Sequence, residues 1–157
     1  MGTTIEYLRL EKGYVNQVST FIEGVFNQFV APEFSQEGID EFMKFIQPDT
    51  LINHLEKNYF GILASVETKI IGIIVVRDYK HVALFFVDSQ HQRKGVGKEL
   101  FRRALEHCSI HDGNSLQITV NSSPNSVNAY RKLNFRTTDK EQCVNGIRFV
   151  PMAMDLH

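Results

Sequence analysis

Apolar residues recur along this chain with two different periods, and the change of period divides it. From Tyr14 to Phe29 the positions Val15, Val18, Phe21, Ile22, Val25, Phe26 and Phe29 fall three and four apart, which predicts an amphipathic helix. Ala31-Pro32-Glu33-Phe34 breaks it. Ser35 suits the N-cap of a second helix with Ile39, Phe42, Met43 and Ile46 turned inward. Pro48-Asp49 reads as another break, followed by a short helix from Leu51 to Lys57, while Ile5, Tyr7 and the run to Leu10 predict a leading strand.

Beyond Phe60 the pattern becomes that of a sheet. Phe60–Val66 and Lys69–Arg77 are rich in β-branched residues and are joined by Glu67-Thr68, which predicts a hairpin. The second run, Ile70-Ile71-Gly72-Ile73-Ile74-Val75-Val76, is apolar on both faces, as expected of a strand covered from both sides. Val82–Asp88 is another such strand. It runs through Gln92-Arg93-Lys94-Gly95-Val96-Gly97 into a helix whose stripe is Val96, Leu100, Phe101, Ala104, Leu105 and Cys108. Backbone amides at a helix start lack intrahelical partners and the helix dipole adds positive charge, so this loop, with Arg93 and Lys94, suits a phosphate-bearing ligand.

Gly113-Asn114 ends that helix, and Ser115–Asn121 alternates as a strand. Pro124 opens a short helix carrying Val127, Tyr130 and Leu133, which Asn134 can end in left-handed geometry. Asn145-Gly146 predicts a hairpin between Lys140–Val144 and Ile147–Met154. The expected fold is one α+β domain spanning residues 1–157, with a central sheet.

Bulk properties narrow the function classes. With 157 residues and 43% hydrophobic content the chain can bury a real core. A net charge of -1 and scattered basic residues argue against a nucleic-acid partner. Cys108 and Cys143 form no Cys-x-x-Cys pair, so neither a disulfide framework nor a zinc site is expected. Met1–Glu6 lacks a basic then apolar region, and the apolar run 70–76 is too short to span a membrane. A soluble, cytoplasmic protein is expected.

The order strand, Gln92-x-x-Gly95-x-Gly97, helix, then Val120-Asn121-Ser122-Ser123-Pro124 and Tyr130-Arg131-Lys132-Leu133-Asn134-Phe135 before another strand resembles the GNAT superfamily of acetyl-CoA-dependent N-acetyltransferases. The resemblance covers roughly the last hundred residues. It implies a three-layer α/β/α fold: a mostly antiparallel twisted sheet with splayed central strands and helices on both faces. It also implies that the loop amides of Arg93, Lys94, Gly95, Val96, Gly97 and Lys98 hold the acetyl-CoA pyrophosphate. Phe85, Phe86, Val87, Asn121 and Ser123 would then line the pantetheine arm, with the Val87 amide bonding the acetyl carbonyl. Ser123 stands where many relatives carry asparagine, and Asn134 where the usual residue is glycine. Tyr130 matches the tyrosine that protonates the leaving thiolate. The acceptor, a small-molecule or peptide amine, would attack the thioester directly in a ternary complex, and a homodimer is expected by analogy alone.

Direct attack requires the acceptor ammonium to lose a proton, to a side chain or through water. His81 has a suitable ordinary pKa but equally suits a solvated turn. Glu33, in the break between the first helices, either attracts a cationic amine or is an exposed loop carboxylate. Asp78, Asp88 and His107 are lesser candidates, and Arg148 and Asn145 either line the acceptor pocket or face water. No metal is implied, because the histidines show no ligand spacing. Two rivals remain: a non-catalytic acetyl-CoA sensor, and a nucleotide binder, whose phosphate loop would need Ser or Thr where Glu99 follows Gly97-Lys98.

Overall fold

The structure is a computed structural model and describes residues 4–112 and 116–156. Strands β1 (Glu6–Arg9), β2 (Tyr59–Val66), β3 (Lys69–Arg77), β4 (His81–Val87), β5 (Leu116–Ser122), β6 (Arg136–Thr137), β7 (Gln142–Val144) and β8 (Ile147–Leu156) build one open sheet. Its order is β1-β2-β3-β4-β5-β8-β6, with β7 pairing β8 off that path. Every pairing is antiparallel except β4 with β5. Helices α1 (Val15–Phe29), α2 (Gln36–Phe45) and α3 (Pro48–Leu55) cover one face. Helix α4 (Val96–Asp112) covers the other, followed after β5 by the short α5 (Val127–Lys132).

The both-sided apolar pattern of β3 has its reason in this layering. Ile73 and Val75 pack with Val18 and Ile22 of α1, whereas Ile71, Ile74 and Val76 pack with Leu100, Phe101 and Ala104 of α4. Gly72 faces α4 so closely that a Cβ there would lie 2.9 Å from Leu100 Cδ1. The missing side chain lets the first turn of α4 settle on the sheet beside β4.

Local signals set the boundaries. Ser35 Oγ accepts from Gly38 N at 3.2 Å, the N-cap expected of it. Turn residues Glu67 and Thr68, and Asn145 and Gly146, all adopt positive φ, as tight two-residue hairpins require. Asn134 has φ 74°, consistent with its place after α5. Pro48 differs from expectation. It opens α3 rather than standing outside it, because the first helical position needs no N–H donor. The predicted helix stop at Gly113-Asn114 and the strand start at Ser115 lie outside the described residues.

The feature that shapes the site is a β-bulge. Val76 of β3 pairs Val82 and Val75 pairs Leu84, leaving Ala83 as an extra residue in β4. Side-chain parity inverts there: Val82, Phe85 and Val87 face α4, while Leu84 and Phe86 face the α1–α3 layer. The parallel β4–β5 ladder consists of His81↔Thr119 and Val82↔Val120 and ends where the bulge begins. Beyond it the two central strands part.

Candidate active site

The parting of β4 from β5 opens a cleft of about 500 Å³, within the range of small-molecule sites. Its walls come from both layers. Phe26 and Phe42 contribute from the α1–α2 side, Phe85 and Tyr130 from the α4–α5 side, and Asn121 and Ser123 from the end of β5. The cleft therefore passes through the sheet instead of lying on it.

Backbone geometry at the end of β4 suits an acceptor oxygen. Asp88 N–H donates to Ile71 C=O at 2.8 Å, which makes that pair hydrogen-bonded. Pairs alternate along an antiparallel ladder, so Val87, opposite Gly72, turns its N–H and C=O away from β3 and toward the gap. In keeping with this, Gln92 Nε2 donates to Val87 O at 3.1 Å, tying the glycine loop to the strand end.

The loop then rises into α4. Arg93 (φ 66°) and Gly95 (φ 81°) both adopt left-handed backbone, and Glu99 N–H is bonded to Gly95 O at 3.0 Å. The amides of Val96, Gly97 and Lys98 come before that first helical bond and have no intrahelical partner. Arg93, Lys94, Gly95 and Lys98 are exposed, whereas Val96 is buried beneath them as an apolar anchor. A Cβ on Gly97 would touch Val87 Cγ2 at 3.6 Å and Phe85 Cζ at 3.7 Å, so the helix start lies directly over the cleft wall. Open amides, a positive dipole and exposed cations at one helix start suit a pyrophosphate.

Tyr130 lines the cleft with its ring edge-on to Phe85 (6.1 Å) and Phe135 (5.4 Å). Its hydroxyl has no hydrogen-bond partner among the described residues, and burial pushes the phenol well above its ordinary pKa. It stays protonated through the physiological range, and its hydroxyl can both donate and accept a hydrogen bond. Ser123 lines the cleft too, but its Oγ is engaged locally with Asn125 Oδ1 and Ser126 Oγ, each at 2.9 Å.

His81 lines the cleft at the fork itself, its Nδ1 2.7 Å from Thr119 Oγ1. Burial, then the Arg77 charge, pulls its pKa down to about 4, so it is neutral at physiological pH. Glu33 sits in the turn between α1 and α2. Its neighbours Val30 and Phe34 line the cleft, and its own Oε2 is buried without a hydrogen-bond partner. Arg148 and Asn145 line the far end, where the β7–β8 hairpin leans on α2. Gly146 O accepts from Ser35 Oγ at 3.2 Å, and Gly38 and Gly146 are packed so tightly that a Cβ on Gly38 would clash at 2.2 Å. A second strap, Asn125 Nδ2 to Phe29 O at 3.1 Å, joins the start of α5 to the end of α1.

The lesser candidates lie apart from this constellation. Asp78 bonds Asn58 and pairs with Arg77, Asp88 caps its own turn beside His91, and His107 packs on Phe60. Cys108 is core and Cys143 is exposed. Sequence reasoning missed His54, whose ring stacks on Tyr59 (4.3 Å) behind the cleft wall and whose Nδ1 is buried without a hydrogen-bond partner. An isolated histidine on a short helix carries no spacing signal. Among the described residues, no helix is long and apolar enough to cross a membrane, and no three His, Cys, Asp or Glu side chains group as metal ligands.

Comparison with known proteins bears on the fold and the family. No curated protein matches the sequence. Among solved structures, PaiA N-acetyltransferase from Thermoplasma acidophilum in complex with coenzyme A superposes with a TM-score of 0.81 at 16% identity, covering 98% of this chain and 99% of that one. A GCN5-related N-acetyltransferase from Rhodopseudomonas palustris gives 0.80 at 16% identity, with 99% of each chain covered. An acetyltransferase of the GNAT family from Staphylococcus aureus gives 0.76 at 14% identity, covering 98% of this chain and all (100%) of that one. At such identities these likenesses establish the fold. The family model for the acetyltransferase (GNAT) domain matches residues 30–156, most of the length described above. On that match, the chain belongs to the GNAT acetyltransferase family.

Proposed function

We propose that the protein transfers an acetyl group from acetyl-CoA to a primary amine by direct attack in a ternary complex. The observation that carries this is the Val87 amide, turned into a through-sheet cleft directly below the open amides of the α4 start. The coenzyme A complex of the Thermoplasma relative, on the same fold, supports it.

Acetyl-CoA supplies the activated thioester, and the chain's residues do the rest. The amides from Arg93 to Lys98 hold the pyrophosphate, and Phe85, Phe86, Asn121 and Ser123 guide the arm through the gap. The Val87 N–H donates to the carbonyl oxygen as that oxygen gains charge, a contact strengthened by exclusion of water. Tyr130 donates its proton to the departing sulfur as the C–S bond breaks, and regains one from the nitrogen as it becomes an amide. Glu33 and His81 are the side chains proposed to assist removal of the amine's proton. The lowering to about 4 takes away the ordinary pKa that made His81 a candidate base, and in this reading it acts only by orienting the water that takes the proton.

Two measurements test the reading. Acetyl-CoA at a hundred times its Kd stabilises a protein that binds it by about 2.7 kcal/mol, so a clear rise in Tm is expected, with none from ATP. Free coenzyme A thiol should then appear when amines are added. Stabilisation without thiol release from any amine would instead favour an acetyl-CoA sensor.

A further inference from the structure

Resting for its turnover on the reading above, we propose that the acceptor is a primary amine carrying an aromatic or similarly bulky apolar group and no carboxylate. The α1–α2 side of the cleft is walled by rings. Phe26 and Phe42 stack at 4.0 Å and 12°, Phe34 meets Phe26 edge-on at 5.4 Å, and Phe86 meets Phe42 at 6.0 Å. Phe26 is fully buried beneath the wall, so the partly exposed Phe34, Phe42 and Phe86 present the apolar surface that a ligand would bury. The wall's own side chains carry no hydrogen-bonding group.

The charges around the cleft sharpen the choice. Arg148 Nε donates to Glu141 Oε2 at 2.9 Å, Lys44 pairs with Glu41 at 3.7 Å, and Arg77 pairs with Asp78 at 3.7 Å. Each of these cations has a carboxylate of its own. Glu33, between the cleft-lining Val30 and Phe34, has one oxygen buried with no donor on it, and after Glu141 it also contributes to raising the Arg148 pKa. An unsatisfied buried polar atom of this kind asks for a partner. A cationic amine provides the missing positive charge, whereas an acceptor carboxylate would meet Glu33 and find Arg148 already held.

The test compares phenethylamine, phenylalanine, n-propylamine and spermidine as acceptors, following thiol release from acetyl-CoA. Phenethylamine should exceed each of the others at least tenfold in kcat/KM. Glu33→Gln should raise the KM for phenethylamine about tenfold while acetyl-CoA still raises Tm. Phenylalanine or spermidine matching phenethylamine would overturn the proposal, as would an unchanged KM in Glu33→Gln. A binding arm separates this inference from the catalytic reading. With coenzyme A present, calorimetry should still show phenethylamine binding more tightly than phenylalanine. That preference without thiol release would remove the catalytic reading and leave the acceptor class standing, and equal binding would remove the acceptor class.

Discussion

Gln92 and Val87 are joined by a single hydrogen bond, Nε2 to backbone O at 3.1 Å, and it spans the junction between the two halves of the proposed cofactor site. The loop that would hold the pyrophosphate is thereby set against the strand end that would hold the carbonyl. A bond of this kind contributes about 0.5–1.5 kcal/mol. Gln92→Leu is therefore expected to weaken acetyl-CoA binding several-fold, read by calorimetry, with little change in Tm because the residue is exposed.

Tyr130→Phe removes only the hydroxyl and keeps the ring contacts with Phe85 and Phe135. If the phenol protonates the leaving sulfur, turnover should fall by about a hundredfold while the Kd for acetyl-CoA stays within twofold. Unchanged turnover would remove Tyr130 from the acid role.

His81 gives the fold a pH dependence of known sign. Its folded pKa, about 4, lies below the ordinary 6.5, so between these values the unfolded chain binds more protons than the folded one. Its contribution to stability is complete above pH 6.5 and is lost as pH falls toward 4, with a slope of at most about 1.4 kcal/mol per pH unit. Urea unfolding at stepped pH should show this decline, and His81→Gln should flatten it. Equal slopes in both proteins would contradict the burial of a neutral imidazole at the fork.

Gly38 and Gly146 lock the last hairpin to α2. Gly38→Ala places a methyl 2.2 Å from Gly146 O, against backbone that cannot yield without moving the turn. A loss of about 1–3 kcal/mol is expected in urea unfolding. Because Arg148 and Asn145 hang on that hairpin, the amine KM should rise more than the acetyl-CoA KM.

What the sequence disclosed, and what it withheld, follows from the range of the interactions. Ser35, Asn134 and Asn145-Gly146 act on their own backbone, so their effects were legible along the chain. The layered sheet was legible because Ile70–Val76 is apolar at every position but Gly72. The bulge at Ala83 was not. Val82 through Val87 is apolar throughout, and a one-residue insertion leaves no mark where both faces are buried or walled by rings. The lean of Gly146 on α2 joins residues as far apart as Ser35 and Gly146, 111 positions, and leaves no local pattern. Glu33 was visible as a carboxylate in a break, but its unsatisfied oxygen emerges only from packing.

The extra residue at Ala83 also bears on traffic. By parting β4 from β5 it opens a cleft lined both from Val87 and Gln92, next to the α4 start, and from Phe26 and Phe42 of the α1–α2 layer. On the proposed function, an acetyl-CoA and an amine approaching from these two layers would not have to pass one another. Through one inserted alanine, the register of a strand decides that the cleft is reached from both layers of the fold.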